Sequence, residues 1–271
     1  TDAQLGAIKD ALRDMKSGRP MSRLVQGDVG SGKTIIAFLM MVWASKMGYQ
    51  SAIMAPTEVL AQQHYESFTE MCEKFGLNIP IILLTGSMKA KQKREAYERM
   101  QLYENAMIIG THTLIQEKAE YNNLALVITD EQHRFGVNQR NNLRNKGNLP
   151  DVLYMSATPI PRTYALTIFG DMDVSTIKER PKGRQKIDTF VKKNSEIKEV
   201  LGMMYDELKN KHQVYVIAPL IEESENSDLN TVNELRDQMK LAFGEKYKID
   251  IVHGKMASGA KDLIMDQFKK N

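Results

Sequence analysis

Gly27-Asp28-Val29-Gly30-Ser31-Gly32-Lys33-Thr34 fits G-x-x-x-x-G-K-[ST] at every fixed position. In that pattern glycines let the backbone close around a polyphosphate, so that successive N–H groups and a helix N-terminus point at it. Lys33 adds a compact positive charge and Thr34 offers a hydroxyl to Mg²⁺. A second constellation, Asp130-Glu131-Gln132-His133, has the residue types that phosphoryl transfer needs. Asp130 can hold the Mg²⁺ of a bound nucleotide through water, and Glu131 can orient and deprotonate the attacking water. Ser156-Ala157-Thr158 supplies two hydroxyls able to hydrogen-bond the acidic loop and His133, and so to register whether a γ-phosphate is present.

These residues need elements that bring them to one place. The glycine-lysine loop lies between the apolar run 24–25 and a helix-like stretch at 35–43. Further short apolar runs occur at 52–55, 79–84, 106–109, 124–129 and 152–155, with helical stretches such as 58–75 and 89–103 between them. Runs that are apolar throughout, rather than alternating, predict parallel strands covered on both faces. Strands alternating with helices predict a doubly wound α/β sheet, whose ligands sit at the carboxyl ends of the strands. The acidic pair directly follows 124–129, and Ser156 directly follows 152–155.

Three more loops belong to the same face: Ala55-Pro56-Thr57-Glu58, Leu84-Thr85-Gly86-Ser87 and Gly110-Thr111-His112-Thr113. Gly and Thr at helix starts suit contacts to a nucleic-acid backbone. The basic run Lys89, Lys91, Lys93 and Arg94 reads first as a solvated helix face and only second as a direct contact. At the start of the chain, Leu5, Ile8, Leu12 and Met15 recur at helical spacing until Ser17-Gly18-Arg19-Pro20. Thr1 and Gln4 have capping-box spacing, and Gln4 is equally placed to read an adenine edge. The two roles are compatible.

The chain has 271 residues, 42% hydrophobic and 26% charged, values of a globular protein long enough for two domains. A net charge of +3 permits a polyanionic partner without demanding one. The single cysteine, Cys72, cannot form an intrachain disulfide and has no zinc-site neighbours, which predicts a reduced, cytoplasmic setting and a buried thiol. No stretch has the length of a membrane span, and the start at Thr1 rather than Met predicts further chain upstream. Residues 171–177, followed by Arg180-Pro181-Lys182-Gly183-Arg184, read as an inter-domain hinge, dividing the chain into domains 1–180 and 181–271. Beyond it a second alternation is expected, with strands at 187–191, 214–220 and 249–252. Its helices are expected around Ile197, Val200, Leu201, Met204 and Leu208, after the acidic loop Glu222-Glu223-Ser224-Glu225, and at 260–268.

Taken together, Gln26 with the glycine-lysine loop, Ala-Pro-Thr-Glu-Val-Leu-Ala-Gln-Gln-His at 55–64, Gly-Thr-His-Thr-Leu-Ile-Gln at 110–116, Asp-Glu-Gln-His-Arg-Phe-Gly-Val at 130–137, Ser-Ala-Thr-Pro-Ile-Pro-Arg-Thr at 156–163 and Pro-Leu-Ile-Glu-Glu-Ser-Glu at 219–225 resemble the superfamily-two helicases, and among them the RecG-type branch-migration helicases. The resemblance covers essentially the whole chain. It implies two RecA-like doubly wound parallel-sheet domains, the second truncated. It implies a bacterial, cytoplasmic, nucleoid-associated monomer that hydrolyses ATP to move along double-stranded DNA and remodel stalled forks and Holliday junctions in recombination and repair. Carried over residue by residue, Gln4 and Gly27, Asp28, Val29, Gly30, Ser31, Gly32, Lys33 and Thr34 bind ATP, and Thr34 and Asp130 hold Mg²⁺. Glu131 activates water, His133, Ser156 and Thr158 couple turnover to motion, and Thr57, Thr85, Thr111 and Arg162 contact DNA.

The family's wedge domain is not in this sequence. Nor is the later Gly-Arg-x-Gly-Arg stretch, whose arginine completes the ATP site, so the chain alone is expected to bind Mg²⁺–ATP weakly with little turnover. Transcription-repair coupling translocases share Arg134-Phe135-Gly136-Val137 and residues 158–162, but usually carry Glu where Gln132 stands. A nucleotide-dependent switch without motor activity is the reading from another class; as a GTPase it would need an Asn-Lys-x-Asp stretch, which the sequence lacks. RNA helicases commonly carry Asp-Glu-Ala-Asp, from which Gln132-His133 departs.

Overall fold

The structure, a computed structural model, describes residues 1–131, 142–158, 172–179, 187–218, 227–253, 256 and 258–270. The chain divides into two compact units, Thr1–Gln185 and Lys186–Asn271.

The first unit is built on a seven-stranded sheet, in the order β3-β4-β2-β5-β6-β1-β7, with every pairing parallel. The strands are β1 (Ser22–Gly27), β2 (Gln50–Met54), β3 (Ile81–Leu84), β4 (Met107–Gly110), β5 (Leu124–Thr129), β6 (Asp151–Ser156) and β7 (Asp173–Ile177). The helices of the unit are α1 (Asp2–Met15), α2 (Lys33–Lys46), α3 (Glu58–Lys74) and α4 (Ala90–Leu102). Successive strand residues point to opposite faces, and both faces are apolar. Ile53, Ile109, Ile128 and Leu153 enter one core with α2 and α3, while Ala52, Met54, Ile108 and Val127 enter the other with Ala96 and Met100 of α4. That two-sided burial is why these strands read as continuous apolar runs.

β7 was not foreseen: residues 173–177 read as hinge because only Val174 and Ile177 are apolar. An edge strand paired on one side needs no more, and here Ser175 and Ile177 turn inward while Thr176 stays exposed. Buried polar side chains tie these elements together. Arg23 of β1, 3% exposed, reaches Asp14 of α1 at 2.6 Å and donates to Ser175 Oγ of β7 at 2.8 Å, with Asp10 and Asp173 each at 3.8 Å. Gln50 is fully buried; its amide donates to the Met100 and Tyr103 carbonyls, while its oxygen accepts from Asn122 and Asn123 N–H.

The second unit contains the helices Ile197–Lys209, Ser227–Phe243 and Ser258–Lys270, close to where periodicity places them. The strands expected at 187–191, 214–220 and 249–252 do not form among the described residues, which carry no ladder pairing there; 219–220 and the acidic loop lie outside them. β-propensity becomes a strand only when a neighbour supplies the backbone partners. Val191 and Ile217 are instead 96% and 88% exposed, and Tyr215 rests on Phe268 with ring centroids 4.6 Å apart.

Removing Arg23 would leave Asp10, Asp14 and Asp173 without their shared cation. R23M is expected to lower the stability of the first unit by about 3 kcal/mol, read as a drop in the urea midpoint without a change of slope. Asp151 behaves oppositely: burial pushes its carboxyl pKa up, the Met21 N–H that it accepts at 2.6 Å pulls it partly back, and Asp14 raises it further. A folded pKa above the unfolded value means that ionised Asp151 costs stability at neutral pH, a cost that fades as pH falls through the folded pKa. D151N keeps the acceptor oxygen, so its melting temperature should exceed that of the wild type at pH 7. The difference should vanish near pH 3, below the ordinary carboxylate pKa.

Candidate nucleotide and nucleic-acid site

Parallel register brings the strand ends level. Gln26 pairs with Ser156, Thr129 with Tyr154, Met54 with Thr129 and Gly110, and Leu84 with Gly110. All six candidate loops therefore leave the sheet at one edge, and strand order sorts them. β1, β6 and β5 carry the glycine-lysine loop, the Ser156 turn and the acidic pair; β2, β4 and β3 carry the loops beginning at Ala55, Gly110 and Leu84.

The glycine-lysine loop wraps onto the N-terminus of α2. Gly32 caps that helix at φ 84°, a left-handed conformation costly for any other residue, and a Cβ on it would stand 1.9 Å from Gln4 Nε2. A Cβ on Gly27 would stand 2.6 Å from Ser31 Oγ. Lys33 is buried, and its ammonium donates to the Gly27 and Asp28 carbonyls at 2.8 and 3.0 Å. Burial pushes its pKa down, while Glu131, Asp130 and Asp28, in that order, pull it back up. The lysine and both carboxylates thus share one field. Thr34 is half-buried in the first turn of α2, and Val29 is 69% exposed at the loop's tip.

Gln4 does two things at once. It completes the capping box of α1 with Thr1, and its amide donates to the Ser31 carbonyl at 3.0 Å, holding the helix start against the loop. Ser31 Oγ is buried with no hydrogen-bond partner among the described residues. An orphaned hydroxyl and a cradle that admits no Cβ are what a loop wrapped around phosphate oxygens would show. Among the described residues no three of His, Cys, Asp and Glu gather into a ready-made metal cage. Thr34 and Asp130 fit a Mg²⁺ ion instead, since that ion keeps several waters and leans on substrate phosphates.

At the end of β5, Asp130 Oδ1 accepts the Glu131 N–H at 2.9 Å and Oδ2 lies 2.9 Å from His64 Nε2. Glu131 holds φ at 47°, the left-handed region, which a non-glycine residue occupies at a cost of order 1–3 kcal/mol. Its carboxylate accepts the Ala157 N–H at 3.4 Å. The expected link between the acidic loop and the serine turn therefore runs through the backbone of Ala157. Ser156 and Thr158 bond each other, Oγ to Oγ1, at 2.9 Å. Gln132, His133, Arg162 and the stretch 134–137 lie outside the described residues.

The other three loops are joined in pairs, the Ala55 loop to the Leu84 loop by Glu58 and the Leu84 loop to the Gly110 loop by Thr113, whose Oγ1 donates to the Leu84 carbonyl at 2.7 Å. The Glu58 carboxylate accepts the Ser87 N–H at 2.8 Å; the Ser87 side chain first, then the Ser87 and Gly86 N–H groups and the nearby His112, hold its pKa down against burial, and Lys93 Nζ donates to the Gly86 carbonyl at 2.6 Å. Thr57 is exposed and caps α3 by accepting the Leu60 N–H. Thr85 and Thr111 are buried, and Thr111 Oγ1 has no hydrogen-bond partner among the described residues. Of the basic run, Lys91 and Arg94 pair along α4 with Glu95 and Glu98, as a solvated face does. Glu58 and His64 were given no role from sequence, and Lys93, read there as part of a solvated face, instead holds a loop carbonyl. For His64 a signal existed: Ala61, His64, Phe68 and Cys72 recur at the 3–4 spacing of a buried helix face, and all four are buried. Cys72 has the buried thiol expected of it, with a pKa raised by desolvation.

Among the described residues no helix is long and apolar enough to cross a membrane. A family model for DEAD/DEAH box helicases matches residues 1–167. The chain is 50% identical over 270 residues to the ATP-dependent DNA helicase RecG of Streptococcus pneumoniae and 46% identical over 271 to that of Bacillus subtilis. Each alignment takes in all of this chain and about two fifths of the relative, 40% and 39%. The solved structure of RecG bound to a three-way DNA junction superposes with a TM-score of 0.77 at 38% identity, over 100% of this chain and 35% of that one. The glycine-lysine loop, the acidic pair and the serine turn all fall inside the matched segment, and the chain belongs to the DEAD/DEAH box helicase family.

Proposed function

We propose that this chain is the motor core of an ATP-dependent helicase that translocates on double-stranded DNA and remodels forks and Holliday junctions. The observation that carries the reading is the convergence at one sheet edge. Lys33 lies in the field of Asp130 and Glu131, and Glu131 is bonded to the turn on the strand between them. In this reading Gln4 and residues 27–34 hold ATP, and Thr34 and Asp130 hold its Mg²⁺. The Mg²⁺–nucleotide supplies the phosphoryl group and neutralises charge on its oxygens. Glu131 takes the proton of the attacking water, its carboxylate oriented by the Ala157 N–H. Ser156, Thr158 and His133 pass the state of the site to the following segment. Thr57 and the backbone of the loops at Thr85 and Thr111 face the nucleic acid with Arg162; the exposed cap at Thr57 and the Glu58–Ser87 bond support a preformed surface there. Residues 181–271 serve as part of the second RecA-like domain.

The high identity to proteins named ATP-dependent DNA helicase RecG, and the junction DNA in the solved relative, support branched DNA as the substrate. The chain spans about two fifths of its curated relatives, 40% and 39%, so the complete reaction belongs to a longer polypeptide.

E131Q is expected to keep nucleotide affinity while hydrolysis falls by roughly 10²- to 10⁴-fold. K33A is expected to weaken binding of a fluorescent ATP analogue by about 10- to 100-fold, the value of one or two charge-assisted bonds. An E131Q protein that hydrolyses ATP normally would contradict the assignment. The chain alone should turn ATP over roughly 10³- to 10⁵-fold more slowly than a longer protein carrying the second-domain arginine. In that longer protein, forked DNA should stimulate hydrolysis above plain duplex, and RNA least; stimulation led by RNA would overturn the DNA reading.

A further inference from the structure

His64 joins the two halves of the site. It sits on the buried face of α3, 6% exposed, against Phe68 with ring centroids 5.8 Å apart. Its Nε2 lies 2.9 Å from Asp130 Oδ2. An ionised carboxylate only accepts, so Nε2 carries the proton and donates it to Asp130. Asp130 Oδ1 is already taken by the Glu131 N–H. The carboxylate is thereby held at both oxygens, once by its own turn and once by a helix from the other half of the sheet edge.

The position of His64 on that helix matters. Thr57, the N-cap, lies seven residues earlier, which is two turns, about 10 Å along the axis, and brings both residues to the same side of α3. Glu58, in the first turn, clamps the Ser87 N–H and lies beside His112. Any ligand seated on the loops at 57, 85–87 and 111–112 bears on the start of a rigid helix whose second turn grips Asp130.

We propose that His64 is a positioning residue that fixes the Asp130 carboxylate for the nucleotide-bound cation and makes cation binding sensitive to nucleic acid seated at the N-terminus of α3. The inference rests on the function proposed above and adds to it the physical link between the two ligands. Because α3 is packed along its length, a shift at its start moves His64 as a body, and the hydrogen bond converts that shift into a change of carboxylate orientation. By linkage, the cation-loaded nucleotide must then tighten the grip on nucleic acid by the same factor.

The test titrates Mg²⁺ into the chain with a fluorescent ATP analogue and reads nucleotide binding, with and without forked DNA. H64L removes the donor and keeps an apolar contact for Phe68. H64Q places an amide N–H the same number of bonds from Cβ as Nε2. The expected result for H64L is a Mg²⁺ requirement raised about 10-fold or more, as for other groups that orient a metal-binding carboxylate, with Mg²⁺-free nucleotide affinity unchanged. DNA should lower the Mg²⁺ half-saturation of the wild type and of H64Q, and leave that of H64L in place. A wild type that needs Mg²⁺ beside an H64L that needs no more, and responds equally to DNA, overturns the inference alone. A wild type whose nucleotide binding ignores Mg²⁺ overturns the functional reading and this inference with it. Should H64L fail to fold, H64N, whose amide stops one bond short of Nε2, carries the same comparison.

Discussion

The parallel ladder is the constraint on which the rest of this molecule depends. Six adjoining strands buried on both faces end level with one another, so every segment leaving a carboxyl end begins in the same plane. The helices that return the chain must cover both faces, and their N-termini line the same edge with unpaired N–H groups. An anion site needs little more than a glycine-rich approach, which the turn at Gly30 and Gly32 provides with φ values of 79° and 84°. The candidate groups are then placed by strand order: the glycine-lysine loop on β1, the carboxylates on β5, and β6 between them with a turn that bonds Glu131.

The same order separates two jobs without separating them far. The loops on β2 and β3 are joined by Glu58 and those on β3 and β4 by Thr113, and α3 leads from them to Asp130. Buried polar groups elsewhere in the unit are structural. Arg23 fastens α1 and β7 to β1, and Gln50, with its amide hydrogen-bonding capacity used, fastens the end of α4 and the approach to β5 onto β2. The strained backbone at Glu131 stands apart: its φ of 47° falls where its carboxylate meets the Ala157 N–H of the neighbouring strand end.

Much of this was legible in the sequence, for physical reasons that can be named. Strands covered on both faces have no polar side to confuse the pattern, so β2, β4 and β5 appear as unbroken apolar runs, and the motifs after them announce their own chemistry. β7 was missed because an edge strand needs few apolar residues, and Val174-Ser175-Thr176-Ile177 resembles a turn-rich connector. The runs at 187–191, 214–218 and 249–252 have the composition of strands, but pairing is a property of neighbours and composition cannot supply one. Thr85 and Thr111 were chosen as residue types suited to phosphate contact, yet their burial is decided by packing at the strand ends. His64 was quoted within a motif and given no task, although the spacing of Ala61, Phe68 and Cys72 already turned it inward.

The central claim is that the lysine loop and the acidic pair serve one nucleotide-bound cation. Electron paramagnetic resonance of Mn²⁺ in place of Mg²⁺, with a non-hydrolysable ATP analogue, tests it most directly. The account predicts one tightly held Mn²⁺ per bound nucleotide, lost both in T34A at the start of α2 and in D130N at the end of β5. Full retention of that Mn²⁺ in D130N while T34A loses it would contradict the claim.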